Sequence, residues 1–131
     1  MMLICAFIGM LLAEETVRSF GYLFVALSGI ALCSASAAAI NQVIDRNTDA
    51  SMTRTDQRPL PKGELSAIHA SVFAFVIGVT GALILYFYVN TLTMILTIAS
   101  LIGYAFIYTI YLKRATPQNI VIGGLAGAAP P

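Results

Sequence analysis

The sequence predicts an all-α protein, a polytopic bundle of transmembrane helices, and two observations support this prediction. Of its 131 residues, 59% are hydrophobic and only 10% are charged, whereas about 25% of residues are charged in a typical soluble domain. Two long stretches, 19–44 and 65–112, contain no Asp, Glu, Lys or Arg. Because one helical span needs about 20 apolar residues, we expect one span in the first stretch and two in the second.

The first two predicted helices cover residues 1–13 and 20–44. At 1.5 Å per residue, the first would reach about 20 Å, short of the roughly 30 Å hydrocarbon core. We therefore expect the beginning of this helix to be missing. The second contains a run of small residues over 28–39, which allows helix backbones to approach closely in lipid.

A polar link on the cytoplasmic side is predicted over 45–64, because RPLPKG at 58–63 contains two prolines and a glycine that a helix interior disfavours. Two further helices are predicted over 65–88 and 92–112, and a fifth over 118–131, where the sequence stops after a few turns. With both terminal helices short, we expect the chain to be an amino-terminal part of a longer protein.

The basic residues predict the orientation in the membrane. Six of the seven fall on one side: Arg46, Arg54, Arg58, Lys62, Lys113 and Arg114. By the positive-inside bias this side faces the cytoplasm of a bacterium, or the matrix if the membrane is the mitochondrial inner membrane. Acidic residues alternate with the basic ones and no aromatic residues separate them, so no nucleic-acid partner is expected. Cys5 and Cys33 lie in apolar runs and are expected to act as small hydrophobic residues.

Asn41, Asp45 and Asp49 follow one another at intervals of four residues, so a helix that continues past Ile44 would place all three on one face. Carboxylate and amide oxygens suit Mg²⁺, which completes its octahedron with waters and phosphate oxygens. Ionisable groups at a membrane boundary are costly to desolvate and point to function. The spacing therefore predicts an open magnesium and phosphate site.

The surrounding motif, NQVIDRNTDASMTRTDQRPLP over 41–61, closely resembles the first aspartate-rich motif of the UbiA prenyltransferase superfamily, in the form typical of heme O synthases (protoheme IX farnesyltransferases). A second stretch, YTIYLKRATPQNIVIGGLAGAAPP over 108–131, resembles the family segment that joins the fourth and fifth helices. The resemblance implies Mg²⁺-dependent transfer of a farnesyl group from farnesyl diphosphate to protoheme IX, which gives heme O.

The resemblance also implies roles for individual residues. Asn41, Asp45 and Asp49 would hold Mg²⁺ through the diphosphate, and both aspartates would be needed for catalysis. Arg54 and Arg58 would contact the diphosphate oxygens, which suit the guanidinium fork.

Lys113 and Arg114 lie on the same predicted membrane face and are candidates for the same phosphate, with anchoring at the interface as the alternative. Tyr108 is a candidate to shield a carbocation or to cap the diphosphate, with a place in the aromatic belt as the alternative. His69 stands alone near the start of the third helix and is expected to be interfacial or packed rather than a heme ligand.

Other functions are compatible with the sequence. The acceptor could instead be a quinone precursor or a chlorophyllide, and the chain could be a structural subunit or a transporter that binds an anion at its basic link. Charged residues at the span ends rather than at mid-membrane depth disfavour transport. Besides the lipid bilayer, a partner enzyme of heme A synthesis or of oxidase assembly is expected. Family members carry a second aspartate-rich motif in a later loop, so the chain alone is expected to be inactive.

Overall fold

The structure is a computed structural model, and it describes residues 2–12, 19–51, 53, 57, 58, 60, 62–112 and 121. The elements in these ranges are α1 (Met2–Leu12), α2 (Phe20–Ala50), α3 (Ala67–Tyr88), α4 (Thr91–Ile102) and a π-helical segment (Gly103–Leu112) that directly continues α4. All of these elements are helical, so the predicted all-α class is confirmed for the described part of the chain.

The second helix is longer than the sequence predicted. The predicted helix ended at Ile44 and was followed by a link from residue 45, whereas α2 continues to Ala50. Residues 45–50 contain neither proline nor glycine, so nothing in them interrupts the i→i−4 hydrogen bonds of the helix. As a result, the polar end of α2 extends about 9 Å along the helix axis beyond Ile44.

Polar side chains fix the starts of the next two helices. The Ser66 side chain accepts a hydrogen bond from the Ile68 backbone N–H at 3.2 Å, and the Asn90 side chain accepts one from the Thr93 N–H at 2.6 Å. Each satisfies a backbone donor that the first turn of a helix leaves unpaired. The predicted fifth helix over 118–131 lies outside the described residues, except for Val121.

Two helices are long and apolar enough to cross a bilayer: 28 residues of α2, Phe20–Asn47, and all 22 residues of α3, Ala67–Tyr88. Much of the apolar surface of α3 is uncovered, since Phe73, Phe75 and Phe87 are 61%, 72% and 71% exposed. Soluble monomers rarely leave apolar patches of this extent in water. The surface of α3 is therefore suited to contact with lipid.

Small residues bring α2 and α3 into close contact. A Cβ atom added to Gly81 would lie 2.8 Å from the Gly29 carbonyl oxygen and 2.9 Å from the Cys33 Sγ. There is thus no room for a larger residue at this point, as is common where transmembrane helices cross. The predicted small-residue run of α2 forms this interface.

The hydrophobic core lies where three helices meet. Four buried residues from α1, α2 and α3 form it: Ala6, Ile30, Cys33 and Leu85. Met94 and Leu101 of α4 pack against this cluster. Cys33 is only 1% exposed and Cys5 is half-buried, and both are free thiols, in keeping with their predicted role as small hydrophobic residues.

Candidate functional site

The last turns of α2 contain the three predicted metal ligands. Asn41, Asp45 and Asp49 all lie within this helix, one turn apart, so they share one face. Asp45 is buried, with 3% of its surface exposed, and Asn41 is half-buried. The side chain of Asp49 lies outside the described part of the structure. At Asp45, this face is therefore turned into the protein rather than toward solvent.

The face that bears Asp45 points away from α3. Successive residues of an α-helix are about 100° apart, and the α2 residues that contact α3, which include Gly29, Cys33 and Ser36, fall within an arc of about 60° on this projection. Asp45 lies about 150° from the middle of that arc. The α2–α3 interface therefore does not account for the burial of Asp45.

The link between α2 and α3 places Arg58 near the same end of the bundle. Two turns organise its last residues: the Lys62 N–H donates to the Arg58 carbonyl and the Gly63 N–H donates to the Leu60 carbonyl, both at 3.2 Å. Gly63 has a φ of +75°, a left-handed conformation that glycine adopts without a steric penalty. The side chain of Arg58 is half-buried, so a basic residue is held close to the start of α3.

Several predicted site residues cannot be placed in the same way. Arg54, Lys113 and Arg114 lie outside the described residues. Tyr108 belongs to the π-helical segment, but its side chain also lies outside the described part. The structure thus brings Asn41 and Asp45 together on one face, and the roles of all the predicted site residues stay predictions.

His69 is exposed in the first turn of α3, which agrees with its predicted interfacial position. Among the residues that the structure describes, no three His, Cys, Asp or Glu side chains come together as a set of metal ligands. Any metal bound to Asp45 at the end of α2 would therefore draw its other ligands from amide oxygens, from side chains outside this part, or from a ligand such as diphosphate.

An apolar cavity of about 460 Å³ lies between α2, α3, α4 and the π-helical segment. Its walls include Ile40 of α2, Phe75 of α3, Ile98 of α4 and Phe106 of the π-helical segment. Ile40 is about 140° from Asp45 around α2, so the cavity and the predicted metal ligands occupy different faces. The sequence did not predict this cavity, because it depends on how the helices diverge and not on any residue pattern.

Comparison with known proteins decides the family. The model of the UbiA prenyltransferase family matches residues 2–131. The chain belongs to this family. Among curated proteins, it is 60% identical over 131 residues to protoheme IX farnesyltransferase 2 of Pseudoalteromonas atlantica, and 58% and 57% identical to the protoheme IX farnesyltransferases of Idiomarina loihiensis and Shewanella oneidensis.

Each of these matches covers 100% of this chain but only 43–44% of the relative. The chain therefore spans less than half the length of the curated UbiA relatives that it matches. No solved structure matches it. UbiA proteins are membrane enzymes that generally use a divalent metal, which agrees with the membrane-length helices α2 and α3.

Proposed function

We propose that this chain forms part of an enzyme that transfers a farnesyl group from farnesyl diphosphate to protoheme IX and so makes heme O. The single observation that supports this most directly is the buried carboxylate of Asp45, next to Asn41 at the polar end of a membrane-length helix. Ionisable groups at a membrane boundary are rare and mark functional sites, and Asp45 is only 3% exposed, so its position favours a binding role over a solvated helix end.

The names of the curated relatives favour protoheme IX as the acceptor. Proteins called protoheme IX farnesyltransferase are 57–60% identical to this chain over its whole length. A quinone precursor or a chlorophyllide as acceptor has no comparable support. The bacterial origin of these relatives also favours the bacterial cytoplasmic membrane, with the link between α2 and α3 on the cytoplasmic side.

Mg²⁺ is the metal that we propose for the site, and the donor set at the end of α2 fits it. The Asn41 amide and the Asp45 carboxylate offer hard oxygen ligands one turn apart, and Asp49 continues the same face by a further turn. When bound, Mg²⁺ supplies positive charge beside the diphosphate oxygens. Asn41, Asp45 and Asp49 would hold it there and orient the diphosphate at the membrane boundary.

Basic residues would complete the binding of the diphosphate. As the C1–O bond of farnesyl diphosphate breaks, the diphosphate leaves with the electron pair, and preorganised positive charge stabilises it. Arg54 and Arg58 of the link are the proposed donors, and Lys113 and Arg114 would approach from the end of the fourth helix. Tyr108, in the same region, would shield the farnesyl cation.

The farnesyl cation would then bond to a vinyl group of protoheme IX. Water adds to the carbon that is left positively charged and loses a proton, which gives the hydroxyethylfarnesyl group. In this scheme the link side of the bundle binds the diphosphate, while the apolar farnesyl chain stays within the depth of the membrane.

The test is an assay of the purified full-length protein with farnesyl diphosphate, Mg²⁺ and protoheme IX, with heme O measured by chromatography and mass spectrometry. Asp45→Asn should lower kcat/KM by about 100-fold or more, since the carboxylate that would hold Mg²⁺ against the leaving diphosphate is lost. Glu64→Gln is the matched control, because Glu64 is an exposed carboxylate in the link that follows α2.

A normal rate for Asp45→Asn would refute the proposed site. If the wild-type protein prenylated an aromatic quinone precursor and left protoheme IX unchanged, the proposed acceptor would be wrong.

A further inference from the structure

The apolar cavity between α2, α3, α4 and the π-helical segment has a buried floor and an open mouth. Ser36, on its floor, is 2% exposed, whereas Phe75 and Phe106, at its mouth, are 72% and 51% exposed. Phe75 also belongs to the exposed apolar surface of α3 that is suited to contact with lipid. The cavity is therefore continuous with the lipid-contacting surface of the protein.

The walls of the cavity leave no side-chain hydrogen-bond donor free. Of the described residues that line it, only Ser36 and Ser71 have polar side chains. The Ser36 hydroxyl donates to the Ala74 carbonyl and the Ser71 hydroxyl donates to the Ala67 carbonyl, both at 2.7 Å. Each hydroxyl has a single proton to donate, and a bound water needs two to four polar partners. The occupant that suits these walls is therefore apolar.

The cavity extends along α3 for about the depth of one lipid leaflet. Ser71 and Ala82 both line it, and the helix rises about 16 Å between them. Half of a hydrocarbon core of roughly 30 Å is about 15 Å. Ser71 lies about 6 Å along the axis from Ala67, where α3 begins. The cavity thus starts close to the membrane boundary on the side of the link and ends near the middle of the membrane.

The volume of the cavity fits one hydrocarbon chain and not a helix. A helix about 10 Å in diameter and about 16 Å long takes up more than about 1,000 Å³, whereas the cavity has about 460 Å³. Spread over the same length, this volume gives a channel about 6 Å wide. Carbon atoms in contact lie about 4 Å apart, so a single chain of methylene groups can extend along this channel. A helix from the rest of the full-length protein does not fit inside it.

The bilayer is the source of hydrocarbon chains in direct reach of the mouth. The farnesyl chain of the proposed substrate is held elsewhere, because Ile40 of the cavity wall is about 140° from Asp45 around α2. We propose that the cavity binds one acyl chain of a phospholipid from the leaflet on the side of the link. The walls alone carry this proposal, so it does not depend on the proposed reaction.

Native mass spectrometry of the full-length protein in a mild detergent tests the proposal. The wild type should retain one phospholipid more than Ala82→Phe, because the added ring takes the place of the acyl chain. Ala99→Phe is the matched control, since Ala99 is exposed on α4 and does not line the cavity. It should retain as many phospholipids as the wild type. Equal numbers in the wild type and in a folded Ala82→Phe variant would overturn the proposal.

Photolabelling of the wild type gives an answer that does not depend on the folding of a variant. A phosphatidylcholine with a diazirine in the middle of one acyl chain, in nanodiscs with the full-length protein, should label Ser36 or Ile40 of the cavity wall. Label confined to exposed residues such as Leu83, which is 50% exposed, would overturn the proposal and would indicate that other parts of the protein close the cavity. Excess farnesyl diphosphate should leave the label unchanged. Loss of the label would assign the cavity to the farnesyl chain instead.

Discussion

The Ser36 hydroxyl of α2 donates a 2.7 Å hydrogen bond to the Ala74 carbonyl of α3, and both residues are buried. A Cβ atom added to the neighbouring Gly78 would lie 2.7 Å from the Ser36 Oγ. The bond therefore forms where the two helices are in close contact. It fixes the register of α3 against the helix that bears the proposed metal ligands.

Ser36→Ala should destabilise the protein by about 1 kcal/mol, the usual scale of an interhelical hydrogen bond in a membrane protein. Unfolding of the full-length protein in mixed detergent micelles measures this. Ser71→Ala is the control, because the Ser71 hydroxyl is exposed and donates to Ala67 of its own helix. Equal losses in the two variants would show that the bond between the helices adds no specific stability.

Gly81→Ala should destabilise the protein by about 2 kcal/mol, because the added methyl group would meet backbone atoms of α2 as well as a side chain, and the backbone cannot turn aside as a side chain can. The nearest atoms are the Gly29 carbonyl oxygen at 2.8 Å, the Cys33 Sγ at 2.9 Å and the Cys33 backbone nitrogen at 3.0 Å. Gly9→Ala is the matched control in α1, since a Cβ there meets nothing within 4 Å. The same unfolding measurement applies, and wild-type stability in Gly81→Ala would contradict the close packing of the two helices.

Thr97→Val should stabilise the protein by about 1 kcal/mol. Thr97 is 1% exposed, and its hydroxyl has no hydrogen-bond partner in the described part of the structure, so valine keeps the shape and removes the cost of a buried polar atom. Thr80→Val is the control, because the exposed Thr80 hydroxyl donates a 2.8 Å bond to the Val76 carbonyl. Both changes are followed by thermal unfolding in detergent, and a loss of stability in Thr97→Val would refute this account.

The membrane helices were predictable because hydropathy and charge act directly on the choice between lipid and water. The stretches 19–44 and 65–112 contain no charged residue, and α2, α3 and α4 lie largely within them. The end of α2 was not predictable from the same signal. Charged residues indicate where a segment leaves the hydrocarbon core. A helix, however, ends only where its backbone hydrogen bonds are interrupted, and residues 45–50 do not interrupt them.

Only the part of the candidate site that lies on a single helix could be predicted from the sequence. The four-residue spacing of Asn41 and Asp45 places them on one face of α2 whatever surrounds the helix. Which residues cover that face depends on how the rest of the chain packs around the end of α2, and the four-residue spacing carries no information about this packing.

The 131-residue chain by itself should show no transferase activity. Apart from Glu14 and Glu15, its acidic residues all lie between Asp45 and Glu64, so one end of α2 and one link must supply every carboxylate near the diphosphate. A diphosphate polyanion needs compensating groups on more than one side as its charge develops. The purified chain is assayed for heme O beside the full-length protein at equal concentration. Co-expression with the remaining segment should restore the rate, and heme O made by the chain alone would show that these residues suffice.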